Sequence, residues 1–304
     1  MRALILSLAA LLAMAAAAAA DPIHGAAKAG DVAKVQELLA GGAAVDARNS
    51  GWTPLLYTSR YGNAEVAKVL LEAGAAVNAR DNLGRTPLYT ASRSGNAEVV
   101  NILLAAGAAV DPRNKDGRTP LHSASGEGLA KVLLEAGAAV DPRDKDGQTP
   151  LHSASGEGLA KVLLEAGAAV DPRDKDGRTP LHSASGEGLA KVLLEAGAAV
   201  DPRNKDGRTP LLYISRSGNA EVVKILLAAG AAVDAPDKDG RTPLLYNSRS
   251  GNAEVVKILL AAGAAVDARN KDGKTSLYTA SRSGHAEVVK ILLAAGAAVD
   301  PRNK

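Results

Sequence analysis

A repeating pattern dominates the sequence from residue 21 onward. The dipeptide Thr-Pro starts at residues 53, 86, 119, 149, 179, 209 and 242, with Asp-Pro at 21 and Thr-Ser at 275 in the same phase. The spacing is 33 residues, except for a first period of 32 and three periods of 30 that start at 119, 149 and 179. A fixed period of this size is typical of stacked repeat architectures. The pattern predicts nine repeats, starting near residues 21, 53, 86, 119, 149, 179, 209, 242 and 275.

The local signals within one repeat predict two short helices and a loop. Thr242 is a suitable N-cap, because its hydroxyl can accept a hydrogen bond from a free amide of the first turn. Pro243 follows at the first helical position, where no N–H is needed, and Gly251 can end the helix in the left-handed region. A second helix then places Val255 and Leu259 on one apolar face. A Lys-Asp-Gly turn signal at 271–273 marks the loop that leads to the next repeat.

A single repeat is too small to fold alone. Chains below about 40 residues rarely bury enough apolar surface to be stable. Stacking neighbouring repeats solves this problem, because each apolar face is then covered by the next repeat. The sequence therefore predicts a solenoid of stacked helix pairs.

The repeated motif resembles the ankyrin repeat. Gly-Arg-Thr-Pro-Leu-His occurs at 117–122 and 177–182, with Gln replacing Arg at 147–152, and Leu-Leu-Glu-Ala-Gly-Ala follows each copy. The resemblance recurs in phase over about 280 residues. It implies an all-α solenoid of helix-turn-helix units with β-hairpin or loop fingers. It also implies a concave surface, formed by the fingers and the first helices, that usually binds another protein.

The three repeats between residues 119 and 208 are shorter and almost identical. Each lacks three residues near the end of the first helix, where Gly-Glu-Gly replaces a longer segment. We expect the first helix to lose most of a turn in each. One interpretation is a tolerated deletion that was duplicated twice, and the other is a functional change of curvature at this point of the stack.

The first twenty residues have the organisation of a secretory signal peptide. Arg2 is followed by a run from Ala3 to Ala20 that is apolar except for Ser7, and the run ends in small residues before Asp21. We therefore expect residues 1–20 to be a signal peptide and residues 21–304 to be an exported ankyrin domain, bacterial and either periplasmic or secreted. An uncleaved membrane anchor is the alternative, since eighteen apolar residues could just cross a bilayer. After cleavage no stable membrane insertion is expected.

Composition argues against several classes of function. The 36 basic and 33 acidic residues give a net charge of only +3, and aromatic residues make up 2% of the chain. A nucleic-acid-binding surface usually has a concentrated basic excess or stacking aromatics, so nucleic acid is not an expected partner. The absence of cysteine rules out disulfides, thiolate metal ligands and thiol catalysis.

Three histidines in equivalent positions raise the question of a metal or catalytic site. His122, His152 and His182 lie on neighbouring layers, which pack about 8–10 Å apart, whereas zinc ligands lie about 2.0–2.1 Å from the metal. Ser123 and Ser125 lie near His122, but a triad also needs an orienting acid and an oxyanion pocket. We expect each histidine to bond locally to its threonine. The prediction is no catalytic residue, no metal and no cofactor.

Basic residues form two periodic rows that the resemblance places on the concave side. The finger row precedes the Thr-Pro motif and comprises Arg85, Arg118, Arg178, Arg208, Arg241 and Lys274. The helix row ends the longer first helices and comprises Arg60, Arg93, Arg216, Arg249 and Arg282. One interpretation is an acidic protein partner. The other is neutralisation of the tips by the acids that alternate with them, which are Asp116, Asp146, Asp176, Asp206, Asp239 and Asp272.

Trp52 and Tyr61 are the strongest candidates for an interface hot spot. Buried aromatic anchors carry much of the energy of many interfaces. The competing interpretation is that Trp52 only covers its own finger.

The last repeat lacks the Thr-Pro start, and no polar capping repeat follows it in the sequence. We expect its outer face, including Val288, Val289 and Leu292, to be partly exposed, with fraying or self-association as consequences.

The sequence as a whole predicts a monomeric, non-catalytic scaffold that binds a protein partner on its concave surface. Two alternatives remain at this stage. One is an accessory or chaperone-like protein that supports a partner enzyme in the periplasm, and the other is a secreted effector directed at a host.

Overall fold

The computed structural model describes residues 22–299, which form helices joined by loops. The chain divides into two units, one ending at Lys145 and the other starting at Asp146. The predicted signal peptide at residues 1–20 lies outside the described residues. No helix within the described range combines the length and apolar composition that crossing a bilayer requires.

The N-terminal unit consists of helix pairs in two layers. Residues 22–29 form helix α1. The helices that follow are α2 (Val32–Ala40), α3 (Pro54–Tyr61), α4 (Ala64–Glu72), α5 (Pro87–Ser94), α6 (Ala97–Ala105) and α7 (Glu127–Glu135). The first helices α3 and α5 pack against each other in one layer, and the second helices α2, α4, α6 and α7 pack in sequence in the other.

The C-terminal unit has the same two-layer arrangement. Its helices are α8 (Glu157–Glu165), α9 (Glu187–Glu195), α10 (Pro210–Ser215), α11 (Ala220–Ala228), α12 (Pro243–Ser250), α13 (Ala253–Ala261), α14 (Ser276–Ser283) and α15 (Ala286–Ala294). The second helices α8, α9, α11, α13 and α15 follow one another in contact. The first helices α10, α12 and α14 form the other layer.

The capping signals read from the sequence set the ends of the full-length first helices. In α5 the Thr86 hydroxyl accepts a hydrogen bond from the Tyr89 N–H (3.3 Å), and Pro87 occupies the first turn. The helix ends at Gly95, which has a φ of 83° and donates its N–H to the Ala91 carbonyl. A side chain at this φ would be strained, so glycine is required there.

The sequence predicted that the first helix of the three short repeats loses most of a turn, but in the structure the whole α-helix is absent. It is replaced by four-residue 3-10 turns at Pro120–Ser123, Pro150–Ser153 and Pro180–Ser183. The chain then turns into extended backbone at Ala124, where ψ is 124°, instead of completing a helical turn. The missing three residues remove the segment that ends in an arginine elsewhere, so the helix row is absent from these repeats.

Apolar side chains between the layers form the core. In α6 the side chains of Val99, Val100 and Leu103 are fully buried, and Leu88 of α5 is buried beside them. Burial of a side chain of this size stabilises a fold by about 1.5–3 kcal/mol. Equivalent residues recur in every repeat, so the core continues through each unit as a seam between the two layers.

Hydrogen bonds between adjacent repeats close the seam on its polar side. The Asn96 amide donates to the Ser59 carbonyl (2.7 Å) and to the Arg60 carbonyl (3.1 Å) at the end of the preceding first helix. These carbonyls lack partners within their own helix. A Cβ atom at Gly62 would lie 2.8 Å from Asn96 Oδ1, so this glycine permits the close approach as well as the left-handed turn.

A second set of hydrogen bonds joins each finger to the next. Asp111 accepts a hydrogen bond from the Ala139 N–H (2.9 Å), and Arg113 donates to the Arg143 carbonyl (2.6 Å) of the next finger. The Lys145 N–H also donates to the Asp116 carbonyl (2.8 Å). The fingers are loops and not paired strands. Within residues 22–299 a single isolated β-bridge occurs, and it joins Asn49 and Trp52.

The expected exposure of the last repeat is partly wrong. Val288 and Leu292 are buried, because both point back into the seam with the preceding repeat, and Val289 is half-buried. Leu293 is a large apolar side chain of α15 that is exposed, at 44%.

Buried Asn247 illustrates how the seam accommodates a polar side chain. It replaces the alanine found at position 91 in α5 and is completely buried. Its amide donates to the Pro243 carbonyl (2.9 Å), and its oxygen accepts from Asn252 (3.0 Å). A buried amide without such partners would cost about 1–3 kcal/mol.

The Asn96 bonds lead to a test of the polar seam. The change Asn96→Ala leaves the Ser59 and Arg60 carbonyls without this donor, so we expect the free energy of unfolding to fall by about 0.5–1.5 kcal/mol. Urea denaturation followed by circular dichroism measures the change. Glu98→Ala on the exposed face of the same helix is the matched control and should change stability by less than about 0.5 kcal/mol. Equal effects of the two substitutions would contradict a stabilising role for the amide.

Candidate binding surface

The finger row of basic residues is held by buried carboxylates. The Asp81 side chain is only 1% exposed and lies 2.6 Å from the Arg85 guanidinium. Asp174 and Asp237 are equally buried and pair in the same way with Arg178 (2.8 Å) and Arg241 (3.0 Å). These arginines are structural parts of the fingers, because each neutralises a carboxylate that is removed from water.

The same carboxylates also close the finger turns. One oxygen of Asp174 accepts from the Asp176 N–H (2.9 Å) and the Arg178 N–H (2.8 Å), while the other oxygen faces the Arg178 side chain. Burial alone would raise the pKa of Asp174, but the hydrogen bonds and charge of Arg178 outweigh it and lower the pKa below its ordinary value. The pKa of Asp237 is lowered for the same reasons, with Arg241 and Tyr246 as donors.

Asparagine replaces this aspartate in some repeats, and the arginine then reaches into the next repeat. Asn114 accepts the two turn N–H groups but has no charge, and Arg118 pairs with Asp144 at 3.0 Å. Asn204 has the same role, and the Arg208 guanidinium lies 3.8 Å from Asp237.

The predicted neutralisation of the finger tips is correct in four fingers. Asp176, Asp206, Asp239 and Asp272 each form an ion pair with the basic residue of their own finger. The sequence analysis missed the buried carboxylates at 81, 144, 174 and 237. The signal for Asp81, Asp174 and Asp237 was an aspartate four residues before the basic residue, in the pattern Asp-x-x-Gly-Arg, whereas Asp144 precedes Gln148 in the same pattern.

The helix row differs from the finger row in both exposure and pairing. All five side chains are exposed, and none forms a salt bridge with another residue in the range 22–299; they are Arg60, Arg93, Arg216, Arg249 and Arg282. Each lies in the last turn of its first helix or just after it, where a cation is favoured by the helix dipole. The residues that follow are serine, tyrosine or glycine, so no acid stands next in the chain.

Lys28 belongs to the helix row and was missed by the sequence analysis. It stands seven residues after Asp21, as Arg60 stands seven residues after Thr53. The Asn63 amide donates to the Lys28 carbonyl (3.0 Å), which repeats the contact that Asn96 makes with Arg60. The periodic position could have revealed it, but the first repeat carries Lys where the others carry Arg.

Five predicted site residues meet in one concavity of the N-terminal unit. This Trp52 concavity has a volume of about 430 Å³. Its lining residues are Trp52, Arg60, Tyr61, Arg85, Tyr89, Thr90, Arg93 and Ser94. The first helices α3 and α5 form its floor, and the fingers that carry Trp52 and Arg85 form its side.

Aromatic rings and guanidinium groups are interleaved in the Trp52 concavity. The Arg60 guanidinium lies 5.8 Å from the Trp52 ring centroid and 6.0 Å from that of Tyr61, and Arg85 lies 5.4 Å from Trp52. Cation–π contacts at this distance contribute about 0.5–1 kcal/mol at exposed sites. They also hold the guanidinium groups in place.

Trp52 fulfils both roles that the sequence left open. Its backbone closes its own finger through the bridge with Asn49, and its carbonyl lies 3.1 Å from His24 Nε2. The centroid of its half-buried ring lies 5.2 Å from the centroid of the Tyr57 ring. Trp52 also lines the concavity.

The C-terminal unit contains two further concavities on its first-helix side. One, of about 350 Å³, is lined by Arg241, Leu245, Arg249, Asn270, Asp272, Lys274, Tyr278, Thr279, Arg282 and Ser283. The other, of about 260 Å³, is lined by Asp176, Arg178, Asn204, Lys205, Asp206, Arg208 and Tyr213. Both contain carboxylates, whereas the Trp52 concavity has none in its lining.

The repeat geometry and the motif together identify the family. Models that describe three copies of the ankyrin repeat match residues 23–114, 106–174, 155–237 and 229–303, which together span almost all of the described chain. The chain belongs to the ankyrin-repeat family. Ankyrin repeats generally mediate protein–protein interaction and are typically non-catalytic.

Several individual ankyrin proteins match a segment of 47 residues of this chain. The chain is 51% identical over 47 residues to ankyrin repeat, SAM and basic leucine zipper domain-containing protein 1 of Colobus guereza. It is 53% identical over 47 residues to the proteins of that name from Homo sapiens and Nomascus leucogenys. Each alignment covers 15% of this chain and only 10% of the relative, so the chain matches about a tenth of those proteins.

The three repeated histidines cap the short ankyrin repeats, as the sequence predicted. In each, Nδ1 accepts a hydrogen bond from the N–H of Thr119, Thr149 or Thr179 at 3.1 Å. His182 Nε2 lies 3.1 Å from the Arg208 carbonyl, so the ring is neutral with its proton on Nε2. Within the described range, no three His, Cys, Asp or Glu side chains converge in a metal-binding group.

The bonding of His182 leads to a pH-dependent stability. Burial lowers the pKa of His182 below 6.5, and a second proton on Nδ1 would face the Thr179 N–H. The contribution to stability is therefore present above about pH 6.5, and it is lost as the pH falls from there toward the lower pKa of the folded state. We expect the melting temperature to fall between pH 7 and pH 5. His182→Gln, which cannot be protonated, should show a smaller fall by differential scanning fluorimetry.

If the melting temperatures of the wild type and of His182→Gln depended on pH in the same way, this interpretation would be contradicted. A uniform loss of stability at all pH values would indicate that the ring contributes packing alone.

Proposed function

We propose that this ankyrin-repeat chain is a non-catalytic scaffold that binds an acidic protein partner on the surface formed by its first helices and fingers. The observation that carries the proposal is the helix row. Its arginines are exposed and recur at the same position of the full-length first helices within each unit, and they have no acid partner among the described residues. A row of uncompensated guanidinium groups is suited to carboxylates, because arginine can form two parallel hydrogen bonds to each.

The fold supports binding by rigid display. The buried carboxylates and the bonds between repeats hold the fingers, so the surface that meets a partner is formed before binding. A preformed surface reduces the ordering cost that association normally carries. Opposite charge on the partner would also accelerate encounter, in a way that salt weakens.

The finger row contributes to this surface mainly through shape. Within it, Arg85, Arg178 and Arg241 are already neutralised by buried Asp81, Asp174 and Asp237. Reversal of one of these charges would therefore break an ion pair with a buried carboxylate, whereas reversal of a helix-row charge breaks no ion pair among the described residues.

We expect charge reversal of the helix row to abolish partner capture. The variant carries Arg216→Glu, Arg249→Glu and Arg282→Glu, and capture from an extract of the source cells is compared with wild type by quantitative mass spectrometry. A partner recovered by wild type should fall at least tenfold with the variant. The matched control carries Lys224→Glu, Lys257→Glu and Lys290→Glu, the same charge change on exposed side chains of the second helices α11, α13 and α15. Equal recovery by all three proteins would reject the helix row as the binding surface.

The proposed setting of this interaction is outside the cytoplasm. The order of a basic residue, an apolar run and small residues at 1–20 supports export, and the chain has no cysteine whose oxidation would be at risk there.

We expect the exported protein to start at Asp21. Intact mass measurement and N-terminal sequencing of protein purified from the periplasmic or secreted fraction provide the test. Replacement of the small residues Ala18 and Ala20 by bulky ones should block processing, because signal peptidase requires small residues before the cut. A mature protein that begins at Met1 and stays in the cytoplasm would contradict export.

A further inference from the structure

The Trp52 concavity differs chemically from the two concavities described above for the C-terminal unit. Its lining holds three arginines, hydroxyl groups and aromatic rings but no carboxylate. The concavities of the C-terminal unit include Asp272 in one and Asp176 and Asp206 in the other. These carboxylates pair with Lys274, Arg178 and Arg208, whereas the lining of the Trp52 concavity contains no carboxylate.

Two of the three arginines are free to bind a ligand. Arg85 is occupied by buried Asp81 at 2.6 Å. Arg60 and Arg93 are exposed and form no ion pair with any residue of the described chain. They end the adjacent first helices α3 and α5, so they stand one repeat apart, with Lys28 one repeat further along the same row.

The repeat distance sets the spacing of the acids that could match this row. Packed helices lie about 8–10 Å apart. A polyproline-type chain advances about 3.1 Å per residue and has three residues per turn, so every third side chain lies on one face at about 9 Å intervals. Acidic residues at positions i, i+3 and i+6 would therefore face Arg93, Arg60 and Lys28 in turn.

The aromatic rings fit the same kind of ligand. Trp52 presents a half-buried ring and Tyr61 a ring that is 46% exposed, with the Arg60 guanidinium between them at 5.8 Å and 6.0 Å. Proline rings of extended peptides usually pack against flat aromatic side chains that line a groove. The peptide is already extended before binding, so little entropy is lost.

We propose that the Trp52 concavity binds an extended, proline-containing acidic peptide whose carboxylates recur at every third residue. The carboxylates pair with Arg60 and Arg93, and the intervening proline packs on Trp52. This assignment rests on the proposed function and gives it a ligand. The row does not suit a long polyanion, because the next repeat has no arginine at this position: Thr119 to Ser125 contains no basic residue except buried His122.

The chain contains its own reporter for the test. Trp52 is its only tryptophan, so intrinsic fluorescence at 295 nm excitation reports on this concavity alone. The probe is a nonapeptide of three Glu-Ala-Pro triplets, which has no aromatic residue. An isomer with the three glutamates adjacent has the same composition and charge, and a third peptide carries Gln in place of Glu.

We expect the Glu-Ala-Pro probe to change Trp52 emission in a saturable way. The isomer should bind at least fivefold more weakly, and the Gln peptide should cause no saturable change. Arg60→Gln with Arg93→Gln should weaken probe binding at least tenfold. Lys224→Gln with Lys257→Gln removes the same charge from exposed side chains on the second helices of the C-terminal unit and should change it less than twofold. All four positions are exposed, and circular dichroism and melting temperature verify that each variant is folded.

Several outcomes would overturn the assignment. Equal binding of the two isomers would reject the three-residue spacing, and equal effects of the two double variants would reject the location. A single-stranded oligonucleotide that binds as tightly, with the same dependence on Arg60 and Arg93, would identify a general anion patch. No saturable change with any peptide would reject the ligand, while the capture experiment with the Arg216, Arg249 and Arg282 variant would still decide the proposed function separately.

Discussion

The structure depends on a constraint of size: a helix pair of 30 to 33 residues cannot cover its own apolar face or satisfy its own helix ends. Each repeat resolves both problems with its neighbours inside its unit. Val99, Val100 and Leu103 bury their side chains in the seam, and the carbonyls of Ser59 and Arg60 accept hydrogen bonds from Asn96 of the next repeat. Stability therefore comes from interfaces between repeats as much as from the repeats themselves. Side chains on the outer surfaces therefore have little part in holding the repeats together.

The same constraint sorts the charged residues into two classes. Charged side chains in the fingers stabilise the fingers and join them. Asp174 accepts hydrogen bonds from two backbone amides of its turn and pairs with Arg178. Arg173 donates to the carbonyl of Arg203 in the next finger. Arginines at the ends of the first helices form no ion pair with any other described residue. Two periodic rows of basic residues thus differ in role: the finger row is paired with carboxylates, the helix row is not, and binding of an acidic partner is expected of the helix row.

Much of this organisation was predictable from local chemistry. Thr86, Pro87 and Gly95 fix the start and end of α5 through capping, proline geometry and a left-handed turn, all of which act within ten residues. The loss of a helical turn at Pro120–Ser123 followed from three missing residues, and the histidine bond to Thr119 followed from its position in the first turn. The exposure expected at Val288 and Leu292 was wrong because helix direction, which local pattern does not give, turns them toward α13.

The sequence by itself determined the repeat, the helix pair and the family, because period and capping are encoded by residues close together in the chain. It also placed Arg60 and Arg93 at helix ends. Only the tertiary structure decided which basic residues are free, since the partner of Arg118 is Asp144 in the following repeat. It also decided that Trp52, Tyr61, Arg60 and Arg93 line one concavity. Residues a full period apart become neighbours when repeats stack, and no local signal records which of them meet.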